Sequence, residues 1–205
     1  AHELCTPLAT LIANNELALR RPEQADMREV LASNLEELHR LTGIVNDMLF
    51  LSQADRGVGA RRVPVSSLAS VAVDVLDYHE AALAEAGLTA KVVGDAHGAF
   101  DVPLLRRALS NLLGNATRYA RNGSIVQVNF RTVDEDRVTN CGDSIDPEIL
   151  PHLFDRFFRA DPARSHGQSN HGLGLAIVGA IARMHQGKPV AWSENGLTRV
   201  GLEIP

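Results

Sequence analysis

The chain is poor in cysteine: Cys5 and Cys141, far apart in sequence, are the only two. They form neither a metal-ligand spacing nor a disulfide framework, which fits a reducing interior and predicts a cytoplasmic setting. Long apolar runs are missing as well. A bilayer-spanning helix needs about 20 consecutive apolar residues, and nothing here approaches that, so this stretch does not cross a membrane. Basic charge is also in short supply, with 20 Lys and Arg against 25 Asp and Glu and a net charge of −5. A general nucleic-acid binder displaces counterions from phosphates with a basic surface, so nucleic acid is excluded as a partner. No internal repeat or low-complexity tract appears. The start has no methionine, no signal peptide and no side-chain oxygen to cap a helix, so the chain is expected to begin as a cut within a longer helix.

What is present is ordinary for a soluble globular protein, 45% hydrophobic and 22% charged, and 205 residues allow one large domain or two modest ones. Leu4, Leu8, Leu11, Ile12, Asn15 and Leu19 recur at three and four, which predicts a helix over 4–19. "RRPEQAD" supplies a bend. From about Met27 to Gln53 the pattern resumes, with Leu31, Leu38 and Val45 in one seven-residue row and Leu41 and Met48 in another. Val30, Leu35, Ile44, Leu49 and Leu51 widen the stripe beyond what one partner helix covers. The hairpin is therefore expected to pair with a second copy into a dimeric four-helix bundle, the alternative being packing onto the rest of its own chain.

The spacing divides the chain into an all-α helical hairpin (1–55), a glycine-bearing linker (56–64) and a second domain (65–205). In that domain the patterns predict helices over 66–86, 102–121 and 172–186, and strands over 88–94, 124–133 and 137–140. A closing hairpin of 188–193 and 198–204 follows around "ENG". This order implies an α+β sandwich of antiparallel strands, one sheet covered by helices on a single face.

Three stretches carry chemistry. Gly172 and Gly174 stand directly before an apolar helix, where free amides and a close backbone suit a phosphate, or simply a capping turn. Asn111 and Asn115 are four apart on one helix face, and their amide oxygens suit a hard cation already carrying phosphate oxygens, or plain solvent. Arg118 and Tyr119 follow within a turn. "LFDRFFRADPARSHGQSN" (153–170) holds Arg156, Arg159 and Arg164, a basic segment that closes over a phosphate pocket as a lid or is merely solvated. His166 and His171 lack cysteine or acidic partners at ligand spacing, which speaks against a metal site there.

In this order the pieces resemble the transmitter region of a bacterial sensor histidine kinase. "HELCTPL" resembles its phosphoacceptor box, "NLLGNATRYA" its asparagine box, "VTNCGDSI" its first glycine box, "LFDRFFR" its phenylalanine box and "GLGLAIV" its second glycine box. Together the boxes cover nearly the whole chain, and the wording is closest to the heavy-metal-sensing branch. The resemblance implies a dimerisation and phosphotransfer hairpin followed by a catalytic sandwich of the histidine-kinase ATPase type, with ATP and Mg²⁺ as cofactors. It makes His2 the phosphorylated residue, Glu3 its proton acceptor, Thr6 an orienter of water for phosphatase activity, and Arg159 a stabiliser of the γ-phosphate. It places Mg²⁺ on Asn115, with Asn111 nearby. Arg118, Phe154, Gly172, Gly174 and Leu175 join the nucleotide site, with Tyr119, Asn140, Gly142, Ile145 and Leu173 shaping it chiefly around adenine. The implied partners are a second copy and the receiver domain of a response regulator. Membrane attachment would come only through segments outside this chain.

Four positions depart from the family pattern. Asn140 replaces the usual aspartate, so an amide oxygen without charge assistance accepts from adenine. Ser144 and Asn170 stand where glycines are usual, and Cys5 where an arginine that positions the catalytic domain is usual. Pro7 is expected to bend the first helix. With His2 in a terminal turn whose amides lack intrahelical acceptors, this stretch is expected to bind ATP yet phosphorylate itself less well than one extended upstream. The competing reading is a dimeric adapter or phosphatase module whose ATP domain is structural or degenerate; a third is an ATPase sharing the nucleotide fold.

Overall fold

A computed structural model of the chain describes residues 2–23, 25–130, 136–141, 145–159 and 171–205, with residues 2, 3 and 136–141 described by their backbone alone. Helix α1 (His2–Arg20) runs continuously through Pro7, whose ring is fully buried. The missing amide of Pro7 removes one hydrogen bond of the ladder, that to the carbonyl four residues earlier. Helix α2 (Met27–Asp55) starts where the Asp26 carboxylate accepts from the backbone N–H groups of Arg28 and Glu29 at 2.9 and 3.3 Å. The two helices form an antiparallel hairpin, keyed by Asn14 Nδ2 donating to Ser33 Oγ (3.2 Å) and Asn34 Nδ2 donating to Asn15 Oδ1 (3.1 Å).

The widened stripe on α2 divides between two tasks. Ile44 and Leu51, seven apart, are 0% and 1% exposed and join the core of the α/β part of the chain. Leu31, Leu35, Leu38 and Val45 stay open to solvent at 46–62%. Packing onto its own chain and an unpartnered apolar row thus coexist on one helix.

After α2 come strand β1 (Val63–Val65), helix α3 (Leu68–Glu85), strands β2 (Thr89–Val93) and β3 (Gly98–Phe100), and helix α4 (Val102–Tyr119). Strands β4 (Ile125–Asn129) and β5 (Asp136–Cys141), a short 3₁₀ turn (Leu150–His152), helix α5 (Gly174–Met184), and strands β6 (Lys188–Glu194) and β7 (Leu197–Glu203) complete the order. The main sheet runs β2-β4-β5-β7-β6, and β1 pairs with β3 in a separate two-stranded sheet. Two expectations are corrected here. The domain holds two sheets rather than one, and β2 pairs with β4 in parallel, so the main sheet is mixed. A parallel pair requires a crossover, and the chain between those strands carries α4. Strand β4 ends at Asn129, and Phe130 N–H bonds back to the Val93 carbonyl at 2.9 Å; residues 131–133 of the expected strand lie outside the described residues.

Alternation explains the layers. Val126 and Val128 of β4 are 0% and 2% exposed and belong to the same core cluster as Leu105, Leu112 and Ala116 of α4, while Ile125 faces solvent. Helix α5 is buried along its length from Ala176 to Ala182, as befits a central helix with no polar face. Among the described residues no helix is long and apolar enough to cross a membrane.

Candidate functional site

Helix α4 supplies the first wall of the site. The Asp101 carboxylate caps it by accepting from Leu104 N–H at 3.2 Å, and a proline in the first turn fits the amides that need no partner. Its apolar row of Leu105, Leu109, Leu112 and Ala116 is buried, which turns Arg107, Asn111 and Asn115, spaced by four, toward another side. Asn111 Nδ2 donates to the Arg107 carbonyl at 2.9 Å. That bond sets the amide, whose Oδ1 would lie only 2.9 Å from a Cβ on Gly174. Asn115 is half-buried one turn on; Arg118 and Tyr119 are exposed at the helix end.

The second wall is the start of α5. Gly172 has φ +65°, and a Cβ there would meet the backbone carbon of Phe157 at 2.7 Å and the Phe158 carbonyl oxygen at 2.8 Å. Phe157 N–H donates to the Gly172 carbonyl at 2.9 Å, so two backbones touch where only glycine fits. The N-cap of α5 is Leu173, which gives no side-chain hydrogen bond to the first turn. Amides at the positive end of a helix therefore open beside an amide oxygen, with no Cβ between them. This donor set fits a phosphate accompanied by a hard cation.

Other expected residues fall around these walls. Phe154 packs with its Cβ 3.5 Å from the Cβ position of Gly179, in the middle of α5. Ile145 N–H donates to Ser193 Oγ at 2.9 Å, and that hydroxyl pairs with Thr198 Oγ1 at 2.8 Å. Gly174 and Leu175 are half-buried in the first turn of α5. Leu173, 1% exposed, is a core residue, so it offers the site its backbone rather than a side-chain wall. Arg159 is half-buried after the phenylalanine turn. The backbone of Asn140 lies in β5 opposite Thr198. The Asn140 side chain, and Gly142, Ser144, Arg164, His166 and Asn170 entirely, lie outside the described residues. His171 is buried beside Gly172. His2 and Glu3 begin α1, described by backbone only, and Thr6 is exposed on the same helix, its carbonyl accepting from Thr10 Oγ1 at 3.2 Å.

Several contacts had no counterpart in the sequence reading. Arg107 pairs with Asp47 of α2 at 2.6 Å, and its guanidinium carbon lies 4.1 Å from the centre of the Phe50 ring. Arg156 pairs with Asp55 at 2.6 Å. His185, 0% exposed at the end of α5, ties three segments together. Its Nδ1–H donates to the Ile181 carbonyl at 2.9 Å and its Nε2 accepts from Asp101 N–H at 3.1 Å, which fixes a neutral tautomer. The Arg62 guanidinium donates to its carbonyl. Burial, and secondarily the Arg62 charge, hold its pKa below the ordinary value; the Ile181 carbonyl and Asp101 pull the other way. The cap at Asp101 was legible before "VP"; the long-range pairs carry no local signal. An apolar cavity of about 30 Å³, lined by Leu68, Leu105, Leu112, Val128 and Leu202 among others, lies under the buried face of α4, and its lining gives a nucleotide nothing to bind.

Comparisons with known proteins agree with this geometry. Residues 100–205 match the family of histidine kinase-, DNA gyrase B- and HSP90-like ATPases, and residues 1–57 match the His Kinase A (phospho-acceptor) domain. The sensor histidine kinase CusS of Escherichia coli is 42% identical over the whole of this chain and 44% of its own length. The sensor protein CzcS of Cupriavidus metallidurans is 37% identical, again over the whole chain and 44% of its own. The chain thus spans less than half the length of these relatives. Among solved structures, the Acinetobacter baumannii histidine kinase AdeS superposes with a TM-score of 0.82 at 22% identity, covering 100% of this chain and 97% of that one. Full-length ShkA, in complex with AMPPNP, gives 0.74 at 23% identity, over 89% of this chain and 39% of its own. A helical hairpin matching the phospho-acceptor domain, followed by an α/β domain whose glycine turn meets an asparagine-bearing helix, means that the chain belongs to the family of histidine kinase-, DNA gyrase B- and HSP90-like ATPases and carries a His Kinase A (phospho-acceptor) domain ahead of it.

Proposed function

We propose that the chain is the phosphotransfer and catalytic portion of a bacterial sensor histidine kinase of the heavy-metal branch, cytoplasmic itself and carried on an inner-membrane protein. Residues 1–55 form the phosphoacceptor hairpin, 56–64 the linker and 65–205 the ATP-binding domain. The observation that carries this reading is the junction of the uncapped start of α5 with the Asn111 amide, at which Gly174 leaves room for no side chain.

On this reading the triphosphate of ATP lies against the first amides of α5. Asn115, with Asn111 nearby, holds a Mg²⁺ ion that neutralises phosphate charge. Ile145, Phe154, Tyr119, Asn140 and Gly142 border the base, and Arg118 and Arg159 the phosphates. The neutral imidazole of His2 forms a bond to the γ-phosphorus as the bond to the ADP oxygen breaks, and the electron pair leaves with ADP. Glu3 accepts the ring proton. The phosphoryl group then passes to an aspartate carboxylate on the receiver domain of a response regulator as the bond to the His2 nitrogen breaks. In the separate phosphatase reaction Thr6 orients the water that attacks the phosphorus, releasing inorganic phosphate. The exposed row Leu31, Leu35, Leu38 and Val45 supports pairing of two hairpins into a homodimer.

The test is His2→Gln. Phosphate incorporation from ATP is expected to vanish while binding of a nonhydrolysable ATP analogue persists. Incorporation that survives the substitution contradicts the assignment.

A further inference from the structure

The Asn14–Ser33 and Asn15–Asn34 bonds fix the register of the hairpin. Counted from the Asn15–Asn34 pair, His2 lies as far back along α1 as Asp47 lies forward along α2. At equal rise per residue, His2 and Asp47 stand at one height on the hairpin. At that height the Arg107 side chain of α4 reaches α2. Arg107 pairs with Asp47 at 2.6 Å, its side chain 33% and that of Asp47 31% exposed, against 44% and 52% for Arg156 and Asp55. The same guanidinium lies over the Phe50 ring. Ile44 and Leu51, three residues before and four after Asp47, are fully buried on the same face of α2, and α2 packs against α5.

Resting on the kinase reading above, we infer that Arg107 is a positioning residue, which holds the asparagine helix of the catalytic domain against α2 at the height of the phosphoacceptor turn. The connection to the nucleotide site is direct, because the Arg107 carbonyl accepts from the Asn111 amide and Asn111 abuts Gly174. A planar guanidinium can pair with a carboxylate along its edge and stack through its face; an ammonium does only the first. The Arg107 contact sets the orientation of the second domain on α2, to which the exposed Cys5 near the start of α1 adds no charge. Its benefit is the proximity of phosphate to imidazole rather than the strength of nucleotide binding.

The intact gene product with Arg107→Ala, Arg107→Lys and the charge exchange Arg107→Asp with Asp47→Arg is compared with wild type. Four quantities are read: affinity for AMPPNP, kcat and KM for phosphate incorporation from ATP, and amide hydrogen exchange over residues 44–51. Arg107→Ala is expected to leave AMPPNP affinity within about twofold, lower kcat roughly tenfold to a hundredfold, and speed exchange over 44–51. The lysine variant is expected to fall between, and the charge exchange to recover part of kcat. An unchanged or raised kcat overturns the inference, as does a parallel loss of AMPPNP affinity, which marks Arg107 as support for the nucleotide site alone. If wild type incorporates no phosphate, the kinase reading fails by itself. The clamp is then decided by exchange over 44–51, faster in Arg107→Ala if it exists and unchanged if it does not.

Discussion

Gly172 and Gly174 stand two residues apart at the start of α5, and the same substitution at each is expected to fail in a different way. In Gly172→Ala the new Cβ meets backbone, 2.7 Å from the Phe157 carbonyl carbon and 2.8 Å from the Phe158 oxygen, at φ +65°. A Cβ in the left-handed region costs roughly 1–2 kcal/mol, and overpacking against atoms that cannot rotate aside adds about 1–3. The sum, about 2–5 kcal/mol, is a large share of the ~5–15 kcal/mol that holds a domain folded. In Gly174→Ala the new Cβ meets Asn111 Oδ1 at 2.9 Å, the end of a rotatable side chain. Losing the Asn111 bond to the Arg107 carbonyl costs about 0.5–1.5 kcal/mol, and alanine returns up to about 1 kcal/mol of helix propensity. Stability therefore stays near wild type, but Asn111 leaves the site. A tenfold loss of affinity for a magnesium-bound ATP analogue, about 1.4 kcal/mol, is expected. Urea unfolding followed by the fluorescence of Trp192, the one tryptophan and a residue of β6, measures the first quantity; calorimetric titration with the analogue measures the second. If Gly174→Ala destabilises as strongly as Gly172→Ala, or binds the analogue as wild type does, the geometry of the junction is wrong.

Three further outcomes follow from the same structure. His185 is buried neutral, with its pKa below the 6.5 of the free side chain, so the unfolded chain takes up the proton first as pH falls. Its contribution is complete above pH 6.5 and is lost as pH falls from there toward the depressed folded value, and His185→Gln should flatten the dependence of melting temperature on pH in that window. Changing Leu31 and Leu38, 62% and 51% exposed in the single chain, to serine should shift the protein from dimer to monomer in sedimentation; a persistent dimer places the interface elsewhere. Arg156→Ala removes a well-exposed ion pair with Asp55 and should cost less than about 1 kcal/mol in the melt, a larger loss showing that the pair carries more than its exposure allows.

The parts of the fold that sequence alone disclosed are those written in local periodicity. The apolar recurrences of α1 and α2 and the glycines ahead of α5 follow from neighbours within one or two turns. The three-residue strands β1 and β3 are too short to alternate, and they pair only because α3 and β2 return the chain to the linker. Parallel pairing of β2 with β4 depends on a crossover, which no local pattern encodes. The resemblance places Leu173 at the nucleotide pocket; its side chain is 1% exposed and packed in the core, which leaves its backbone for that role. Arg107 and Asp47 were hidden for a related reason. Each is a charged residue on an amphipathic helix, and only the packing of α2 on the second domain turns two solvent faces into a half-buried pair.

The most direct measurement is the chemical nature of the bond formed when the protein is incubated with γ-labelled ATP. The account predicts label on the peptide carrying His2, released by acid and retained in alkali, as a phosphorus–nitrogen bond requires. Label that survives acid, or steady hydrolysis of ATP with no labelled chain, would contradict it.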